Sequence, residues 1–222
     1  GFIGRNLVDK LILKGETVLG IDINYPANAI NSSNFQFLQL DITNFENTHN
    51  TIHEIDFECI IHLAASADVV FSVENPLGDF ESNVTGTLSM LEICRRKKNA
   101  KFIFASSVSV FDKNNTLPLN ELSLIKASSP YGAGKASCEN YCHAYFRSYG
   151  LNVNIARMFN VYGPGINKLF VYDIIKKIDD NDKEITIWGD GNQIRDYLFI
   201  DDLINGIILI SRKGVPGEDY NI

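Results

Sequence analysis

Apolar residues recur at helical spacing from the start of the chain: Phe2, Ile3, Leu7, Val8, Leu11 and Ile12 form one stripe, and Gly15 supplies a stop. Residues 17–23 are almost wholly apolar, the pattern of a strand buried on both faces of a parallel sheet, and Asp22 lies near their end. The same reading puts a strand at Phe35–Ile42, a short helix around Asn44–Ile55 and a buried strand at Cys59–Ala65. One long helix is predicted across Asn75–Lys97, followed by a strand at Ala100–Ser107. A helix then runs from near Pro130 to Gly150, a strand follows over Leu151–Phe159, and "GEDYNI" at the other end has strand character. Strands alternating with helices predict an α/β protein with a parallel, doubly wound sheet.

A sheet of that kind takes its ligand at the carboxyl ends of its strands. Those ends carry Asp22, Asp41 and Ile42, then Leu63, Ala64 and Ala65, then Ser106 and Ser107, and lastly Phe159 and Asn160. Gly1 and Gly4 open the first helix, where free N–H groups and the positive dipole end suit an anion such as a phosphate. Asp22 follows about 20 residues later, the place where a dinucleotide site sets an acid on ribose hydroxyls. An ordinary helix with a glycine cap and a surface Asp has the same pattern. A doubly wound fold also needs a central strand before its first helix, and the chain is expected to lack it. The expected result is a gap between the strands ending at Asp22 and Ala65, with weak stability and weak cofactor binding.

Composition removes several classes. The 222 residues are 45% hydrophobic and 21% charged, as in a globular protein. A net charge of −7 with one dense basic run, Arg95–Lys98 at a helix end, argues against a nucleic-acid partner. No apolar stretch reaches the ~18–20 residues of a membrane span, and no signal peptide is visible. Cys59, Cys94, Cys138 and Cys142 have no framework spacing, which fits reduced thiols in the cytoplasm.

The chemistry concentrates in "SSPYGAGKASCENY". Ser128 or Ser129 can cap a helix with Pro130 in its first turn, which sets Tyr131 and Lys135 at i and i+4 on one face. A free tyrosine titrates at ~10, and a neighbouring ammonium and a helix N-terminus both favour the tyrosinate. The pair is then a device for moving a proton beside a nicotinamide ring, with Ser107 adding a hydroxyl. Taken alone, the pair also reads as a surface accident. His49 and His53 lack the glutamate and third ligand of a zinc helix, and Cys138, Cys142 and His143 are better read as packing than as a metal site. No metal is expected.

In order along the chain stand "GFIG", Asp22, "LDI", "HLAA", "SVENP", "NVTGT", "SSVSVF", "YGAGK", "ARMFNVYGPG" and "GDGNQIRDYLFIDDL". This series resembles the extended short-chain dehydrogenase/reductases of the NAD-dependent epimerase/dehydratase family, truncated at both ends. The resemblance implies a Rossmann-like sheet over residues 1–160, lacking its first strand. Residues 161–222 would be part of a smaller substrate-binding region interleaved with it. It implies NAD held by Gly1, Phe2, Ile3 and Gly4 at the pyrophosphate, Asp22 at the adenosine ribose, and Asp41 and Ile42 by the adenine. Leu63, Ala64, Ala65, Asn83 and Phe159 would border the cofactor. Ser107, Tyr131 and Lys135 would be catalytic, the last two also touching NAD, while Ser107, Asn160 and Arg195 would hold a nucleotide-sugar. A homodimer is implied for the full-length protein. Asp112 departs from the family's glycine, and a local loop change is expected there. Trp188 is expected in a turn under the substrate pocket.

Dehydratases and decarboxylases of the family carry an acid after the catalytic hydroxyl, where this chain has Val108 and Ser109. The expectation is therefore an NAD-dependent nucleotide-sugar epimerase acting at C4. A keto-sugar reductase or a non-catalytic nucleotide sensor are the alternatives, and Asp22, by repelling a 2′-phosphate, favours NAD.

Overall fold

The computed structural model describes residues 1–222 apart from 27–29, 98, 181–183 and 188. Trp188 and Lys98 thus lie outside the described residues. Two parallel strands, β1 (Val18–Asp22) and β2 (Phe35–Gln39), form one pair. Four more, β3 (Cys59–His62), β4 (Lys101–Ser107), β5 (Asn152–Met158) and β8 (Asp219–Asn221), form a second parallel sheet in that order. Among the described residues β1 pairs with β2 alone and β3 with β4 alone, so a gap in the hydrogen-bond ladder separates them. The pieces still share a core, because Leu19, Ile21 and Leu38 pack against the cluster that holds Phe102, Phe104 and Val153.

Alternation along the central strands explains the double winding. Phe102 and Phe104 of β4 face one core with Leu91 of α5 (Gly86–Arg95) and Cys138 and Cys142 of α6 (Pro130–Tyr149). Ala105 faces the opposite core, built by Leu7 of α1 (Phe2–Leu13) and Leu203, Ile204 and Ile207 of α8 (Ile200–Lys213). Period-two side chains on a strand buried on both faces leave no polar side, which is why β4 reads as a continuous apolar run.

Several elements are shorter than their apolar runs. β2 stops at Gln39, and Asp41 lies beyond it in the turn that leads to α2 (Phe45–Ile52), which Asn44 caps by accepting the Asn47 N–H at 3.0 Å. β3 stops at His62, so Leu63–Ala65 leave the sheet as a loop. The long helix predicted over Asn75–Lys97 is instead α4 (Pro76–Phe80), a π turn at Glu81–Thr85 and α5, preceded by a short α3 (Val69–Glu74) that the pattern did not reveal. The C-terminal third adds a small parallel pair, β6 (Asn160–Tyr162) and β7 (Tyr197–Phe199), and α7 (Phe170–Asp179).

Candidate active site

Helix α6 is anchored by its ends. Ser129, rather than Ser128, is the N-cap and accepts the Gly132 N–H at 3.1 Å, with Pro130 at the first helical position. Gly150 closes the helix at φ 67°, a conformation that costs glycine nothing. Near the N-terminus the helix presses onto the segment after β4. A Cβ on Gly132 would lie 2.3 Å from the Ser109 carbonyl oxygen, so only glycine permits this approach.

That approach brings Ser107, Tyr131 and Lys135 together. Ser107 ends β4, accepts the Ser109 N–H at 3.2 Å and donates to the Ser109 hydroxyl at 3.2 Å, and its hydroxyl favours the ionised form of the Tyr131 phenol. Lys135 is 3% exposed; its Nζ donates to the Ala105 carbonyl at 2.8 Å and sits 4.8 Å from the centre of the Phe104 ring. Burial lowers the Lys135 ammonium to about 8. Burial also raises the Tyr131 phenol, against the hydrogen bond from Ser107, and the nearby Asp79 carboxylate pushes the same way. The expectation of a favoured tyrosinate is therefore corrected. Desolvation outweighs the ammonium, which is directed at Ala105 and Phe104.

A second polar chain lies beneath the loop after β3. Buried His62 has Nε2 at 3.0 Å from the Thr87 hydroxyl, and that hydroxyl donates to the Asn83 carbonyl at 2.6 Å. With its proton committed there, Thr87 accepts from His62, which fixes the Nε2–H tautomer. Burial drives the His62 imidazolium down to about 3, so the ring is neutral. The Asn83 amide accepts the Ser66 N–H at 2.8 Å, donates to the Ser66 carbonyl at 3.2 Å and donates to Asp79 at 2.9 Å. Asn83 thereby holds the loop carrying Leu63, Ala64 and Ala65. Its place in a π turn, a feature common at functional sites, goes with this.

The remaining candidates lie around the same strand ends. Gly1 caps α1, whose first turn holds Phe2, Ile3 and Gly4. A Cβ on Gly4 would meet only Leu63 Cδ1, at 3.9 Å, so the chain's own packing does not demand glycine there. Asp22 ends β1 and accepts the Asn24 N–H at 2.9 Å. Asp41 accepts from the Thr43 N–H and hydroxyl at 3.0 and 2.7 Å, which orders its turn, and Ile42 is buried behind it. Phe159 joins β5 to β6, and its N–H donates to the Ile222 carbonyl at 3.1 Å. Asn160 starts β6 opposite Tyr197 and donates to the carbonyl of Asp196, the residue after Arg195, at 3.0 Å. Arg195 is exposed, and its guanidinium reaches the carbonyl of its neighbour Ile194. Asp112 orders its own turn by accepting from the Asn114 N–H and side-chain amide, each at 3.0 Å.

Sequence reasoning missed His62, Asp79, Glu139 and Arg157. Two signals were available: Glu139 continues the i, i+4 series of Tyr131 and Lys135, and Arg157 is a charge inside an apolar strand. Cys138 and Cys142 are buried in the core, and among the described residues no three His, Cys, Asp or Glu side chains gather as metal ligands. No helix among those residues is long and apolar enough to cross a membrane.

Residues 1–222 match the NAD dependent epimerase/dehydratase family. A UDP-glucuronate 4-epimerase of Thermodesulfobacterium geofontis is 36% identical over 234 residues, covering 100% of this chain and 72% of the relative. The solved UDP-glucose 4-epimerase of Thermotoga maritima with UDP-glucose superposes with a TM-score of 0.90 at 33% identity, over 100% of this chain and 74% of its own. The dTDP-glucose 4,6-dehydratase of Streptomyces venezuelae, solved with NAD bound, gives 0.90 at 27% identity, over 100% and 72%.

Proposed function

Because the chain belongs to the NAD dependent epimerase/dehydratase family, we propose that it epimerises a nucleotide-sugar at C4, with NAD as cofactor and a keto-sugar as the transient intermediate. The observation that carries the reading is the meeting of Ser107, Tyr131 and buried Lys135 where β4 ends and α6 begins. Tyr131 takes the C4 hydroxyl proton and later returns it, while Ser107 hydrogen-bonds the same oxygen. Lys135, one turn further along the same helix face, is assigned to favour the tyrosinate as it develops in the reaction, against the burial that keeps the resting phenol protonated. NAD held beside these residues would supply the hydride acceptor, and then the donor, for the sugar carbon.

The open N-terminus of α1 at Gly1, Phe2, Ile3 and Gly4 suits a pyrophosphate, because Gly4 has no Cβ to hold it off. Asp22 is assigned to the adenosine ribose, Asp41 and Ile42 to the adenine. Leu63, Ala64, Ala65 and Phe159 are assigned to the walls of the nicotinamide site, with Asn83 as their support and Tyr131 and Lys135 as further contacts. Asn160 and Arg195 are assigned to the diphosphate of the sugar nucleotide. Residues 1–160 are assigned to the cofactor-binding domain, from which Ser107 and Asn160 also reach the substrate, and 161–222 to part of a substrate-binding region interleaved with it.

Elimination of water would need a proton donor at the neighbouring carbon, and Val108 and Ser109 provide no acid there. That favours epimerisation over dehydration. We place the protein in the cytoplasm, where its four free cysteines stay reduced. A second copy is proposed to cover the exposed Val70, Val73, Leu77 and Phe80 of α3 and α4. The deciding experiment incubates the full-length protein with UDP- and dTDP-hexoses and follows C4 inversion by proton NMR. Inversion without net cofactor consumption is expected; stoichiometric oxidation of reduced cofactor with no epimer replaces this reading with a keto-sugar reductase. Neither activity leaves a nucleotide sensor. NAD should also bind more tightly than its 2′-phosphorylated form, since Asp22 repels that phosphate; equal titrations would remove Asp22 from the ribose.

A further inference from the structure

Two turns along α6 from Tyr131, a buried ionic cluster joins α6 to β4, β5 and β8. Glu139 is 2% exposed and Arg157, the single charge in β5, is 1% exposed. Arg157 grips Glu139 with both ends of its fork, Nε to Oε1 at 2.9 Å and Nη2 to Oε2 at 2.8 Å. The same Nη2 donates to Asp219 of β8 at 2.6 Å, and Nη1 donates to the Glu121 carbonyl at 3.0 Å, in the segment that leads into α6. Ser106, the neighbour of Ser107, donates its hydroxyl to Glu139 Oε1 at 2.5 Å. His143 on α6 faces Asp219 at 3.2 Å.

We infer that the Arg157–Glu139 pair, through Ser106, is a positioning device that fixes α6 against the end of β4 and so sets Tyr131 and Lys135 relative to Ser107. The geometry is specific. Tyr131, Lys135 and Glu139 stand at i, i+4 and i+8 on one helix face, and two of them are tied to consecutive residues of β4, Lys135 to Ala105 and Glu139 to Ser106. Two ties on adjacent strand residues stop the helix from sliding or rolling, which one tie cannot do. A buried ion pair adds little net stability over a well-packed apolar one, yet its bidentate bonds have a single good geometry. Arg157 lies opposite Ser106 in the β4–β5 ladder, so the strand that carries the fork is itself in register with the residue it positions.

The kinetic test rests on the proposed reaction, and a second readout does not. In the full-length protein, Glu139→Gln should lower kcat on the order of ten-fold with KM unchanged, less than the ~10²-fold that a 1 Å misplacement costs. Ser106→Ala, a change too small to threaten folding, should lower kcat about three-fold or more, with Ser106→Thr restoring it. Leu91→Ala, a core truncation on α5 that leaves every polar contact of the cluster in place, should lower stability and leave kcat of the folded protein alone. Hydrogen exchange at the 131–135 amides should quicken in Ser106→Ala and Glu139→Gln but not in Leu91→Ala. The inference is overturned if both cluster variants keep wild-type kcat, or if that exchange is no faster than in Leu91→Ala. If the wild type epimerises no sugar, the reading of its activity fails and the exchange data alone decide the positioning role.

Discussion

The two sides of the candidate site are built to different standards. On the β4–β5–α6 side, Lys135, Glu139 and Arg157 are almost wholly buried and each side chain has its partners. On the other side Arg195 is exposed, β6 and β7 are three residues each, and α7 buries none of its residues. Groups assigned to proton transfer are thus fixed by the core, whereas groups assigned to grip the sugar nucleotide stand on a thin outer frame. Catalytic geometry tolerates little displacement, while recognition of a diphosphate by a long, charged side chain tolerates more. Substitutions on the first side should therefore act on kcat or on folding, and those on the second on KM.

The sharpest break is Tyr131→Phe. It removes one oxygen and keeps the packed ring, so turnover should fall ~10²–10⁴-fold with nucleotide-sugar affinity retained. Steady-state kinetics and calorimetry check both halves, and near-normal turnover would exclude Tyr131 as the proton carrier. Next in size, Arg195→Ala should weaken substrate binding by about 1.5–3 kcal/mol, the worth of a hydrogen bond to a charged group. Its kcat at saturation should stay within about two-fold. A loss in kcat instead would erase the distinction between the two sides.

Gly132→Ala tests the buried side through packing alone. The new methyl would fall 2.3 Å from the Ser109 carbonyl oxygen and 3.0 Å from Ala127 Cβ, forcing the start of α6 away from β4. A cost of about 1–3 kcal/mol is expected in urea unfolding, together with a loss of kcat. Unchanged stability would mean that this contact is looser than drawn.

The effect smallest at neutral pH is a pH dependence. Folding holds His62 neutral, with its pKa lowered to about 3, while the unfolded ring titrates at ~6.5. Below ~6.5 the unfolded chain binds a proton that the folded chain refuses, so stability is complete above that pH and lost as pH falls toward 3. The slope approaches ~1.4 kcal/mol per pH unit, and His62→Gln should flatten the acid limb by that amount. Parallel curves for wild type and variant would show that His62 accepts its proton while folded.

Much of this was legible beforehand for a physical reason. The strands β4 and β5 announce themselves because both faces are buried, and α6 because its stops, Ser129–Pro130 and Gly150, are local. Strand-end positions such as Ser107 then follow from topology, Tyr131 and Lys135 from their i, i+4 spacing on α6, and the three acting together from the family resemblance. The π turn at Asn83 was not legible, since the apolar pattern on either side is helical and one extra residue leaves no compositional mark. Nor was the state of Tyr131: burial opposes the ammonium, and burial depends on how closely α6 meets β4. Arg195 was assigned from a motif, and nothing in its packing repeats that information.

The π turn at Glu81–Thr85 also decides how the chain can change length. Deleting one residue there would restore a regular helix, which a search for helical propensity would score as an improvement. Every residue beyond it would then rotate by about 100°. Leu91 and Cys94, now wholly buried, would swing out of the core, and Thr87 would leave His62 without its acceptor. The loop between Asp112 and Asn120 has no such constraint at its exposed Leu117. Single-residue insertions and deletions should accordingly survive in that loop and be purged from the π turn, a pattern that a deletion library would display directly.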